Sequence, residues 1–85
     1  MRKIIPLSNL KAGNKGIVVR ISGKGLVRRR ILDMGIVKGT HIEVIRTAPL
    51  GDPVEFSLRG YNLTLRKAEA DEVFVSLMNN SGEAE

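Results

Sequence analysis

Apolar residues alternate with polar ones along most of this chain, and the rhythm changes clearly only once. Ile17, Val19 and Ile21 alternate with Val18 and Arg20, a period of two that predicts a strand ended by Ser22-Gly23-Lys24-Gly25. Over 26–34 the period lengthens. Val27, Ile31 and Met34 fall at i, i+4 and i+7, one face of a short helix, with Arg28, Arg29 and Arg30 fanned over its other faces. Asp33 lies one turn after Arg29, within pairing reach. Gly35 is placed to close that helix as a left-handed cap with apolar Ile36 beyond it, and 37–40 fits a turn with Gly39 where positive φ is needed. Alternation then returns. Ile42 and Val44 predict a second strand, and Val54, Phe56 and Leu58 a third, with Phe56 inside. Leu63 and Leu65 predict a fourth strand, and Val73, Val75 and Leu77 a fifth. Gly60-Tyr61 is the expected two-residue hairpin between the third and fourth, and 67–71 is expected to make one helical turn. Leu7 and Leu10 are apolar anchors ahead of a turn-like stretch at 11–14. The sum is a mostly β fold, a small, partly open five-stranded barrel with one short helix between the first and second strands. An interior this small is filled by side chains, so binding is expected on loops, edges or the helix.

Length sets the frame for that barrel. The 85 residues make one domain, expected over 1–77, with a small polar tail at 78–85 expected to be flexible. Apolar runs stop far short of the roughly 18 residues a membrane span needs. The start, Met1-Arg2-Lys3-Ile4-Ile5, opens like a secretory signal, but Pro6, Ser8, Asn9 and Lys11 cut the apolar stretch, so export is not expected. Absence of Cys removes disulfides, thiolate zinc sites, iron–sulfur ligation and cysteine nucleophiles together. Charge is uneven. Residues 1–50 carry 11 Lys/Arg against 2 Asp/Glu, and residues 51–85 carry 3 against 7, so a net +5 conceals a basic half and an acidic half. A basic half points to an anionic partner: nucleic acid, an acidic protein surface or the inner membrane face.

Candidate chemistry is sparse. His41 is the one histidine, and no serine has a nucleophile-elbow context, so no catalytic residue is expected. His41 and Glu43 share a strand face and, with Asp52 from the next turn, form a weak candidate ligand set for divalent iron, zinc or manganese. Neither metal nor cofactor is expected to be resident. The glycine-lysine segments lack the spacing of a phosphate-binding loop. Three aromatic residues, Phe56, Tyr61 and Phe74, are too few for base-stacking platforms or proline-rich peptide grooves. Two features remain. Arg28-Arg29-Arg30 can contact phosphates or an acidic surface, or can be the wet side of a helix. The segment 48–53 is longer than hairpin closure requires. Pro49 and Pro53 stiffen it, Gly51 permits a tight reversal, and Leu50 sits at its tip without an obvious core partner. A pre-ordered loop of that kind loses little entropy on docking.

Three segments in order carry a family resemblance over nearly the whole ordered chain. Arg46-Thr47-Ala48-Pro49-Leu50-Gly51-Asp52-Pro53 resembles the R-x-A-P-L-G-D-P signature of the ferrous-iron-transport protein A (FeoA) family. Leu32-Asp33-Met34-Gly35-Ile36-Val37-Lys38-Gly39-Thr40 resembles its L-x-x-G-(apolar)-x-x-G-(Ser/Thr) segment, with Lys38 where many members carry Pro. Leu63-Thr64-Leu65-Arg66-Lys67 with Ala70 resembles its L-x-L-R-x-x-E-A ending. The resemblance implies an SH3-like barrel and a small, non-enzymatic cytoplasmic regulator of ferrous iron uptake, a process of transition-metal binding and transport. It implies as partner the FeoB-type transporter, at its cytoplasmic GTPase or membrane-domain face, with no small-molecule substrate. On that reading Arg28, Arg29, Arg30, Pro49, Leu50 and Asp52 bind the partner, while Gly35, Gly39 and Gly60 shape turns. The alternative is an RNA-binding small barrel, because 11–21 loosely resembles the KOW segment and the first half is basic. Salt dependence separates the two. Self-association through exposed strand edges stays open.

Overall fold

The computed structural model describes residues 3–78. In chain order it contains β1 (Ile4–Pro6), β2 (Lys15–Ile21), α1 (Gly25–Asp33), β3 (His41–Thr47), β4 (Val54–Leu58), β5 (Tyr61–Leu65), α2 (Lys67–Ala70) and β6 (Val73–Met78). The strands form one antiparallel sheet in the order β1-β6-β2-β3-β4-β5. A short 3-10 turn, Leu7–Asn9, follows β1.

Two elements differ from the sequence pattern. β1 is a sixth strand, and three residues ending in Pro are too few to show alternation, so it forms by pairing with β6 (Ile4↔Ser76 to Pro6↔Phe74). The helix consequently lies between β2 and β3. Met78 belongs to β6 and is buried, so the domain runs one residue past the expected boundary. The rest of the expected tail, 79–85, lies outside the described residues.

The core explains why these strands curl. Val18, Ile42, Val44, Val54, Phe56, Leu58, Leu65, Val73 and Val75 project into one interior, which Leu7, Leu10, Ile31, Ile36 and Ala70 close. Partner register slips between Val18 and Arg20 on β2 and between Val44 and Arg46 on β3. Each slip inserts a residue, Val19 and Ile45, and the added local twist lets a short sheet wrap a small core. The first slip also decides which β2 residues face in. Val18 is buried and Ile21 packs against the core, whereas Ile17 and Val19 are only half-buried. At Gly16 the strands approach so closely that a Cβ would stand 2.9 Å from Val75 Cβ, which reserves the position for glycine.

Tight turns complete the frame. Gly35, at φ +89, closes α1: its N–H reaches Leu32 O at 3.0 Å and the Ile36 N–H reaches Ile31 O at 3.4 Å, while Ile31 and Ile36 are both buried. Gly39, at φ +92, turns the chain into β3, with the Thr40 N–H donating to Val37 O at 3.0 Å. The β4–β5 loop is Arg59-Gly60, one residue earlier than expected. The register Leu58↔Tyr61 leaves only those two residues outside the ladder, at φ +50 and +86. Two successive positive φ values match the right-handed twist of a hairpin, and Arg59 takes the first despite its side chain. No helix among the described residues is long and apolar enough to cross a membrane.

Candidate docking surface

Segment 48–53 leaves the barrel as a closed loop. The Ala48 N–H donates to Pro53 O at 3.0 Å and the Gly51 N–H to Ala48 O at 2.8 Å, and the Asp52–Pro53 bond is cis. Leu50, at the tip, is fully exposed and sits at φ +73. A left-handed conformation costs a residue with a Cβ about 1–2 kcal/mol, and here no internal contact of the side chain offsets it. Pro49 and Pro53 are exposed on either side. Asp52 is exposed too, but its carboxylate already has a partner: Oδ1 accepts the Lys67 N–H at 3.1 Å. Asp52 therefore braces the loop against α2, and it does not approach His41 and Glu43 as a third ligand.

The arginine triplet divides its work. Arg28 Nη1 donates to Ile21 O at 2.6 Å, tying α1 to the end of β2. Arg30 Nη1 lies 3.4 Å from Glu69 Oε2, tying α1 to α2. Arg29 extends outward with no ion pair among the described residues. The expected Arg29–Asp33 pair does not form, since both side chains are on the solvent face with room to separate. Glu69 is buried and also accepts the Arg66 N–H at 3.0 Å. The single turn of α2 thus meets the loop through Lys67 and the arginine helix through Glu69, so both candidate regions attach to one hub.

A further patch lay outside the sequence expectations. Leu26 is 83% exposed and Val27 40%, with Leu32 and Val37 partly exposed. Leu26, Arg29, Arg30, Asp33 and Met34 line a shallow groove on the outer side of α1. The signal was present: Leu26 stands off the Val27/Ile31/Met34 stripe and has no inward place on the helix.

The remaining candidates are less organised. Lys15 faces Glu43 and Ile17 faces His41 across β2 and β3, and these polar side chains with Ser57 and Arg59 line a concavity of about 220 Å³ on the outer sheet face. Among the described residues no three His, Cys, Asp or Glu side chains group as metal ligands. The aromatic rings are occupied. Phe56 is in the core, the Arg20 guanidinium stacks 4.3 Å from the Phe74 centroid, and the Tyr61 hydroxyl donates to Met34 O at 3.4 Å.

Comparison with known proteins decides the family. A model of the FeoA domain matches residues 5–77. The chain belongs to the FeoA family. The solution structure of a FeoA-like protein from Clostridium acetobutylicum is 44% identical with a TM-score of 0.85, covering 93% of this chain and 92% of that one. FeoA of Stenotrophomonas maltophilia, an SH3 domain protein crystallised with zinc, has a TM-score of 0.75 at 24% identity, covering 94% of this chain and 98% of that one. That likeness shows the SH3-like fold. A curated relative from Porphyromonas gingivalis (strain ATCC BAA-308 / W83) fuses Fe(2+) transport protein A to the Fe(2+) transporter FeoB, and is 41% identical over 75 residues. The match covers 88% of this chain but only 9% of the fusion protein's length. FeoA-family chains are thus linked to ferrous iron transport, and in that relative a FeoA region and a FeoB transporter share one polypeptide.

Proposed function

We propose that this FeoA-family chain is a non-enzymatic adaptor that docks on the cytoplasmic part of a FeoB-type ferrous iron transporter and biases its conformations through differential affinity. The observation that carries the reading is Leu50: a fully exposed apolar side chain held in a costly left-handed conformation by a loop closed on itself and braced on α2. An exposed, conformationally strained residue with no internal role is suited to a pocket on another molecule. Pro49 and Leu50 are the knob, Asp52 keeps it in place, and Arg29, with the exposed edges of Arg28 and Arg30, steers it toward an acidic rim. The fused relative supports the pairing, because one polypeptide keeps the two parts at high effective concentration. The chain would work at the inner face of the membrane, through its partner.

Titration of the full chain against the detergent-solubilised transporter, in nucleotide-free, GDP and GTP-analogue states, tests this. Binding in at least one state is expected, weakened roughly tenfold or more by Leu50→Asp, since a buried leucine contributes about 1.5–3 kcal/mol and a buried carboxylate opposes docking. Absence of binding in every state, or an unchanged affinity for Leu50→Asp, sinks the reading.

A further inference from the structure

Arg29 of α1 steers the knob, but the apolar first turn of that helix takes no part in it, and its composition identifies a different neighbour. We propose that the first turn of α1 is a lipid-contacting element, which lays Leu26, with the half-exposed Val27 beside it, into the headgroup boundary of an anionic membrane while Lys24 and Arg29 bind lipid phosphates.

Four observations carry this. First, Leu26 is 83% exposed and Val27 40%, at the start of the helix, where the bare backbone of Gly25 has open space around it. Second, the cations are arranged around that apolar pair. Arg29 and Arg30 follow Leu26 at i+3 and i+4, on either side of it when viewed along the helix, and Lys24 directly precedes the turn. Third, the chain carries no Asp or Glu before Asp33. Asp33 is the one carboxylate on this helix face, and at i+7 it stands about 10 Å along the axis from Leu26. Carboxylates from neighbouring elements are already engaged: Glu69 takes the Arg66 N–H and Arg30, and Glu72 takes the Ser22 hydroxyl. Fourth, Arg29 is exposed and without an ion pair among the described residues, which leaves its planar guanidinium open for two-point contact with a phosphate.

A lipid surface fits this geometry better than a protein pocket. The apolar pair protrudes, and the groove beside it is shallow, with arginines on its rim. An apolar strip ringed by cations is the chemistry of shallow interfacial insertion, where apolar burial and attraction to anionic lipid add. Each contact alone is weak. Joined to a protein contact elsewhere on the same domain, it raises the local concentration of the chain at the membrane. The inference does not rest on the transporter reading, because vesicles contain no protein.

Co-sedimentation of the full chain with phosphatidylglycerol/phosphatidylcholine vesicles and with pure phosphatidylcholine vesicles tests it. Preference for the anionic vesicles by about tenfold or more at low salt is expected, declining as NaCl rises. Leu26→Asp should weaken retention roughly tenfold. Arg29→Glu should weaken it about fivefold or more, and Lys11→Gln, at an exposed side chain outside α1, should weaken it by less than about twofold. Both α1 substitutions are at exposed side chains, and circular dichroism confirms that each variant is folded. No preference for anionic vesicles overturns the proposal. So does parental retention in Leu26→Asp, which reduces the contact to diffuse electrostatics. Loss of transporter binding by Leu26→Asp without any vesicle binding likewise overturns it, and assigns α1 to a protein contact instead.

Discussion

Loop 48–53 and helix α1 each present a leucine to solvent, and they do so by opposite means. Leu50 is exposed because the backbone around it is constrained: two prolines, a closing pair of hydrogen bonds and the Asp52–Lys67 contact hold it at φ +73. Leu26 is exposed without strain of its own, because the left-handed step beside it, φ +62, falls on Gly25, where no Cβ opposes it. It lies on the first turn of a helix whose Lys24 N-cap gives no side-chain hydrogen bond, and helical geometry simply points position 26 away from Ile31. One leucine is displayed at a conformational cost and the other at almost none. The first is therefore suited to a shaped pocket, which rewards rigidity, and the second to a fluid surface, which does not.

The largest effect should come from α2, the hub the two regions share, at Glu69. Glu69 is buried, accepts the Arg66 N–H and pairs with Arg30. Glu69→Ala removes both contacts and leaves the Arg66 N–H without its side-chain partner. A loss of about 2 kcal/mol in urea unfolding is expected, with faster amide exchange in both α1 and α2. If only one helix responds, the hub description fails. Asp52→Ala should cost less, about 1 kcal/mol, as for other lost caps of a helix N-terminus. Its amide-exchange signature should be confined to 48–53 and the start of α2, and a change reaching α1 would contradict the division between the two regions.

Sequence reasoning reached these regions unequally. The alternation of β3 and β4, the burial of Phe56 and the Gly35 cap were legible because each depends on neighbours a few residues away. The protruding loop was legible for the same reason, since its prolines and glycine announce its stiffness locally. β1 was not legible, because three residues become a strand only by pairing with β6 across some 70 residues of chain. The split within the arginine triplet was hidden in the same way. Nothing near Arg28 or Arg30 reveals that Ile21 O and the Glu69 carboxylate will claim them, leaving Arg29 as the projecting member. The bracing contact of Asp52 is hidden for the same reason, since its partner, the Lys67 N–H, comes 15 residues later. The sequence pattern puts Gly60 first in the hairpin loop, whereas the ladder makes it the second and Arg59 accepts the left-handed conformation before it.

The contrast between the leucines extends to stability, where replacing Leu50 should stabilise the fold and replacing Leu26 should leave it nearly unchanged. Leu50→Gly removes the steric cost of a Cβ at φ +73 and forfeits no internal packing, but it also increases the freedom of the unfolded chain. The balance should favour the variant by about 0.5–1 kcal/mol in urea unfolding, together with weaker transporter binding. A destabilised Leu50→Gly would mean that the side chain supports the loop, and the knob would lose its physical argument.

Leu26→Ala should have the smallest effect of all. Ala is the better helix former by a few tenths of a kcal/mol, and an 83% exposed side chain has little packing to lose, so unfolding should shift by less than about 0.5 kcal/mol in either direction. A loss above about 1 kcal/mol would show Leu26 to be covered by the rest of the chain in solution, and α1 would then have no free apolar turn to offer a membrane. A near-zero change leaves a leucine that the fold does not need, on a helix whose cations surround it, and any cost of replacing it must then appear in what the helix touches.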